Sequence, residues 1–135
     1  MTQSPPFPLL QHPAFQGLSD AALTRLDEST KILRFELGQQ LCEPNDIPAR
    51  ILVLLKGQSR LVGRHNGRLT TVGKFGPCSV IGAASLLCGS PCENVIASDE
   101  VIACSISDEQ WIRLYSEEES FRQWCDQQLW PQELL

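Results

Sequence analysis

Ser59-Arg60-Leu61-Val62-Gly63-Arg64-His65-Asn66-Gly67-Arg68-Leu69-Thr70-Thr71-Val72 reads as two short strands folded back on one another. Asn66-Gly67 is the pivot, because a two-residue hairpin turn needs positive φ at both central positions and these residue types tolerate it. Outward from this hairpin, between Lys31 and Ile106, short apolar runs alternate with glycine, proline and asparagine, the pattern of an antiparallel sandwich or roll. The expected strands are 32–35, 40–43, 51–55, 59–65, 68–72, 79–81, 93–97 and 101–106. Eight strands suit a jelly roll.

Helices bracket this region. Ser19 is a good N-cap, and Leu18 before it can staple onto Leu23, with Leu26 continuing the apolar face to about Glu28. Ser107-Asp108-Glu109-Gln110 forms a capping box, with Ile106 and Trp111 as its staple, so a helix is expected from 108 to about 115. Phe121, Trp124, Cys125 and Leu129 recur at helical spacing from about Glu118, behind an acidic run that complements the helix dipole. Residues 1–17 are proline-rich and aperiodic, and are expected to be an extended arm ahead of one domain at 18–135.

A chain of 135 residues and 15.0 kDa, 42% hydrophobic and 20% charged, is long enough for one core and too short for two. Its net charge of -5 and pI near 4.9 repel phosphates, which argues against a nucleic-acid partner. The longest aliphatic run, Ile51 to Leu55, is far below the roughly 20 residues that span a bilayer, so no membrane insertion is expected. Residues 1–8 carry no basic residue and are broken by prolines; they do not read as a secretory signal, and a cytoplasmic location is expected. In that compartment Cys42, Cys78, Cys88, Cys92, Cys104 and Cys125 are expected as reduced thiols. Cys88 and Cys92 are spaced like two metal ligands, but a zinc site needs four and the only histidines are His12 and His65, so neither metal nor cofactor is expected.

Several stretches resemble the cyclic-nucleotide-binding family, over roughly residues 12 to 125. His12-Pro13-Ala14-Phe15-Gln16-Gly17-Leu18-Ser19 looks like the family's opening motif, h-P-x-F-x-x-L-S. Phe35-Glu36-Leu37-Gly38-Gln39-Gln40-Leu41 looks like its F-x-x-G-x-x-L turn, and Leu52-Val53-Leu54-Leu55-Lys56-Gly57 like its Y-x-I-x-x-G strand. The resemblance implies an eight-stranded β-roll, mainly β, with one N-terminal and two C-terminal helices. The family's phosphate-binding cassette, F-G-E-x-x-L-L followed by P-R-x-x-x-V, falls on Ile81 to Ile96. Gly82, Leu86, Leu87 and Pro91 match it, whereas the glutamate position is Ala83 and the arginine position is Cys92.

In the family the glutamate accepts a hydrogen bond from the ribose 2′-hydroxyl and the arginine pairs with the cyclic phosphate. Ala83 and Cys92 do neither. Each lost charge-assisted bond removes about 1.5–3 kcal/mol, so the pair would weaken binding by roughly two to four decades if additive. No lysine or arginine lies between Lys74 and Arg113 to compensate, and Glu93 adds a negative charge beside Cys92. The backbone N–H groups of Gly82, Ala83 and Ala84 could still favour an anion. Strand alternation turns Arg60 and Arg64 away from the face of Ser59 and Leu61. The degenerate pocket is therefore expected at Gly82, Ala83, Ala84, Ser85, Leu86, Cys92, Glu93 and Asn94.

The resemblance implies a non-catalytic regulatory or docking module that has lost the nucleotide. The alternative is a sensor for a less charged small molecule in the same pocket. A jelly-roll metalloenzyme of the cupin type would need several converging histidines, and only His65 falls within the roll. No nucleophile and base stand at recognisable spacing, so an enzyme is not expected. Domains of this family are usually joined to an effector. Too little chain follows Trp130 for a DNA-binding helix-turn-helix, which suggests an excised N-terminal domain. Pro91-Cys92-Glu93 also resembles the degenerate cassette ahead of some cyanobacterial peptide- and toxin-exporting ABC transporters, which implies a place at the inner face of the membrane. An effector would dock through the C-terminal helices, where Trp111, Tyr115, Phe121, Trp124 and Trp130 are the interface candidates, with Trp130 expected to be exposed.

Overall fold

The computed structural model describes residues 12–42, 49–88 and 94–133. A 3₁₀ turn, Pro13–Phe15, precedes helix α1, Asp20–Ser29. The strands follow: β1 Lys31–Phe35, β2 Gln40–Cys42, β3 Arg50–Lys56, β4 Ser59–His65, β5 Arg68–Phe75 and β6 Val80–Ile81. Helix α2, Ala83–Cys88, leads towards β7, Asn94–Ala97, and β8, Val101–Ser107. Helices α3, Asp108–Glu117, and α4, Glu119–Glu133, follow as the last described elements. The strands form two antiparallel four-stranded sheets, ordered β1-β8-β3-β6 and β2-β7-β4-β5.

Strand β3 explains why there are two cores. Its side chains alternate across the sheet, and both faces are covered. Ile51 and Val53 join Val80, Cys104 and Ile106 under the helices, while Leu52 and Leu54 join Ile81, Val95, Val101 and Ala103 between the sheets. An uninterrupted aliphatic run is what a strand buried on both faces requires. The central hairpin turns at Asn66 and Gly67, with φ of 53 and 78°.

The first core is completed from both ends of the chain. Phe15, Trp111 and Phe121 pack edge-on or tilted, with centroids 4.8–6.2 Å apart. The helices are also latched at their ends. Glu118, between α3 and α4, accepts from the Ser19 N–H at 2.9 Å and from its hydroxyl at 3.0 Å, while Ser19 Oγ accepts from the Ala22 N–H. Arg25 of α1 pairs with Glu117 at 3.4 Å.

Of the segment 1–17, expected as an extended arm lying on or off the domain, residues 13–15 form a 3₁₀ turn packed on the core: Ala14 and Phe15 are 0% and 2% exposed, because the aromatic cluster needs Phe15 to close it. Residues 1–11 lie outside the described residues. The expectation that all six cysteines are reduced thiols is corrected, because Cys42 is disulfide-bonded. Compartment and sequence neighbours, on which that expectation rested, carry no information about which thiols folding brings together. Cys78, Cys104 and Cys125 are free. Burial pushes the Cys104 thiol up to about 11 and, with Asp126 nearby, the Cys125 thiol up to about 12.

Candidate ligand site

The two described ends of the cassette lie on different sheets: Ile81 in β6 and Val95 in β7 both belong to the cluster between the sheets. Gly82 makes the sharp exit from β6 with φ of 98°, a conformation that glycine adopts without Cβ strain. Its carbonyl accepts from Leu86 N–H at 3.0 Å and starts α2.

Ala83 is wholly buried, and it belongs to the cluster under the helices with Val80, Trp111 and Phe121. Leu86 and Leu87 are half-buried against that same cluster. Asn94 is held across the β2–β7 pair by the Gln40 side-chain amide at 2.8 Å. The structure thus places Gly82, Ala83, Leu86 and Asn94 at the two ends of the cassette. The side chains of Ala84 and Ser85, and residues Cys92 and Glu93 altogether, lie outside the described ones.

Arg60 is exposed and donates to Thr71 Oγ1 of the neighbouring strand at 3.0 Å, while Leu61 packs on the inner core and Ser59 is 1% exposed. The alternation expected for Arg60 is therefore observed; the Arg64 side chain lies outside the described ones. Ser59 has a further property. Its buried hydroxyl has no hydrogen-bond partner among the described residues, on the strand face that Leu61 turns to the inner core. The sequence orients Ser59 through strand alternation and says nothing of its missing partner.

Among the interface candidates, Trp111 and Phe121 are 0% exposed, so neither offers surface to a partner; their area is used against Phe15. Tyr115 and Trp124 are partly buried against the same core. Tyr115 donates to Asp126 at 2.6 Å, which raises the phenol's pKa. The expectation that Trp130 is exposed falls on a side chain outside the described ones. His12, set aside by sequence reasoning because it precedes the roll, is buried and bonded at both ring nitrogens. Among the described residues no group of three or more His, Cys, Asp or Glu could hold a metal ion, and no helix is long and apolar enough to cross a membrane.

The family model described as "Cyclic nucleotide-binding domain" matches residues 32–118. No curated protein matches the sequence. Among solved structures, the sensor domain of the transcriptional regulator DNR from Pseudomonas aeruginosa superposes with a TM-score of 0.78 at 14% identity, covering 92% of this chain and 85% of that one. The Thermus thermophilus catabolite activator protein gives 0.71 at 18% identity, over 87% of this chain and 56% of that one. The regulatory subunit of a cAMP-independent protein kinase A from Trypanosoma cruzi, solved bound to guanosine, gives 0.70 at 17% identity, over 88% and 46%. The chain spans about half the length of the last two. At these identities the likeness establishes the fold.

Proposed function

The chain belongs to the cyclic nucleotide-binding domain family, and from that premise we propose that it is a non-catalytic regulatory module whose cassette no longer holds a cyclic nucleotide. The observation that carries this reading is Ala83, a methyl group wholly buried in the helix-side core where the family has its ribose-binding carboxylate. The absence of any lysine or arginine between Lys74 and Arg113 supports it, because a cyclic phosphate would meet no cationic side chain from the cassette. The module would act on an attached effector through its C-terminal helices, a peptide-exporting ABC transporter being the effector suggested by Pro91-Cys92-Glu93. A disulfide at Cys42 weighs for an oxidising setting over a cytoplasmic one.

A second reading, a sensor for a neutral ligand, is favoured by two observations. The Ser59 hydroxyl is buried on the inner-core face with no partner among the described residues, and a protein of the same fold is solved with guanosine, a nucleoside that carries no phosphate. Thermal unfolding in the presence of cyclic AMP, cyclic GMP and guanosine separates the readings, because any ligand that binds the folded state raises Tm. The first predicts no shift with any of the three. A shift with guanosine alone favours the sensor, and a shift with a cyclic nucleotide overturns both.

A further inference from the structure

We propose that His12 is an acid-labile clamp that fastens the N-terminal turn and helix α4 to the 76–79 loop leading into β6 and the cassette. Its two ring nitrogens have opposite duties. Nε2 lies 2.8 Å from the Cys78 carbonyl oxygen, which only accepts, so Nε2 carries the proton. Nδ1 lies 3.1 Å from the Ala14 N–H, which only donates, so Nδ1 presents its lone pair and caps the Pro13–Phe15 turn. The two bonds exist together only for the neutral ring: the cation keeps the Nε2–H donation to Cys78 but loses the Nδ1 acceptor. A proton added at Nδ1 would point at the Ala14 N–H, removing the cap and setting donor against donor.

The surroundings give the cation no compensation. The ring is 4% exposed and stands edge-on to Phe15 and Trp124, with centroids 5.6 and 5.3 Å away. Of the elements packed on it, the turn presents Ala14 and Phe15, the loop presents Cys78, and α4 presents Trp124, followed by the neutral thiol of Cys125. Among the described residues no charged side chain acts on the ring. Burial accordingly holds its pKa below the ordinary 6.5, more strongly than the Cys78 bond raises it. Because the folded state binds this proton less readily than the unfolded chain, the clamp contributes fully above pH 6.5. That contribution is lost as pH falls through the lowered folded value.

The far end of the clamp is the reason that opening it matters for the cassette. Cys78 has φ of 75°, unusual for a residue with a side chain, and is held there by two bonds: its N–H to Leu54 O at 2.8 Å and its carbonyl to His12. Two residues later the chain enters β6 and then Gly82. A cation that has lost its cap in this apolar site moves out to water and takes the Nε2 bond with it, which frees Cys78 to relax and loosens the approach to the cassette, whatever ligand the cassette takes.

Nitrogen-15 NMR of the ring, assigned with a His65→Gln variant, is expected to show the Nε2–H tautomer at pH 7.5 and a midpoint below 6.5. Amide exchange of residues 76–82, corrected for intrinsic rate, is expected to rise by about tenfold between pH 7 and 5, as local opening becomes accessible. His12→Asn keeps an acceptor for Ala14 but cannot reach Cys78. In it this loop should exchange rapidly at both pH values while α3 stays protected. A midpoint at or above 6.5, a loop whose exchange ignores pH in the unmodified protein, or a His12→Asn variant that keeps the pH dependence would overturn the proposal. Should that variant fail to fold, the ring titration and wild-type exchange still decide.

Discussion

Substituting alanine at Gly57 is expected to cost about 3 kcal/mol, against about 1 kcal/mol for the same change at Gly38. Both glycines occupy turns with φ near +90°, at +95 and +85°, so the left-handed backbone penalises a Cβ at each by about 1 kcal/mol. They differ in what the Cβ meets. At Gly38 there is nothing within 4 Å, whereas at Gly57 it would be driven into the Glu100 carbonyl oxygen, with the Glu100 carbonyl carbon at 3.0 Å behind it. That obstacle is backbone and cannot swing aside. The turn must separate from residues 98–100, which breaks the 2.7 Å bond from Gln58 N–H to Asp99 Oδ1 and the 2.8 Å bond from Ser98 N–H to Gln58 O. Two such bonds are worth about 1 kcal/mol each. Urea unfolding of the two variants measures the difference, expected near 2 kcal/mol with an unchanged m-value. If Gly57→Ala were no more costly than Gly38→Ala, the packing of the β3–β4 turn on the β7–β8 turn would be wrong.

Phe15→Ala should cost about 3–5 kcal/mol by urea unfolding, since it empties the centre of the aromatic cluster. A loss under 1 kcal/mol would show that Phe15 does not hold this turn to the core. Glu118→Ala removes both acceptors from Ser19 and should cost about 1 kcal/mol, with faster amide exchange in the first turn of α1; unchanged exchange would show the latch to be idle. Of Cys78, Cys104 and Cys125, the free thiols among the described residues, Cys78 alone should react with a chromogenic disulfide at pH 8 in the folded protein. Cys104 and Cys125 are 0% exposed and held near 11 and 12, and mass spectrometry of the labelled peptides checks this.

Much of the fold could be read from residues whose local chemistry admits one solution. Asn66-Gly67 permits a tight hairpin, and Ser19 and Ser107 cap their helices by accepting from Ala22 and Gln110, as their motifs predict. The aliphatic run of β3 announces burial on both faces. What escaped depends on contacts between distant segments. The stripe of Trp111 and Phe121 predicts amphipathic helices but not that Phe15, from a proline-rich stretch, covers them. The site was less legible still. A helix as short as α2 fits either face inward, so the sequence located Ala83 in the cassette without revealing that its methyl turns to the helix-side core. Neither the lack of a Ser59 partner among the described residues nor the disulfide at Cys42 leaves a mark on nearby residues. His12 looked peripheral because only the folded chain brings Cys78 and Trp124 around it.

Equilibrium dialysis of the protein against labelled cyclic AMP tests the central claim most directly. With Ala83 and Cys92 in place of the two charged contacts, binding should not saturate below about 1 mM, a free energy no better than about -4 kcal/mol. Saturation at one nucleotide per chain in the low micromolar range would mean that this cassette still holds its nucleotide by contacts other than those two.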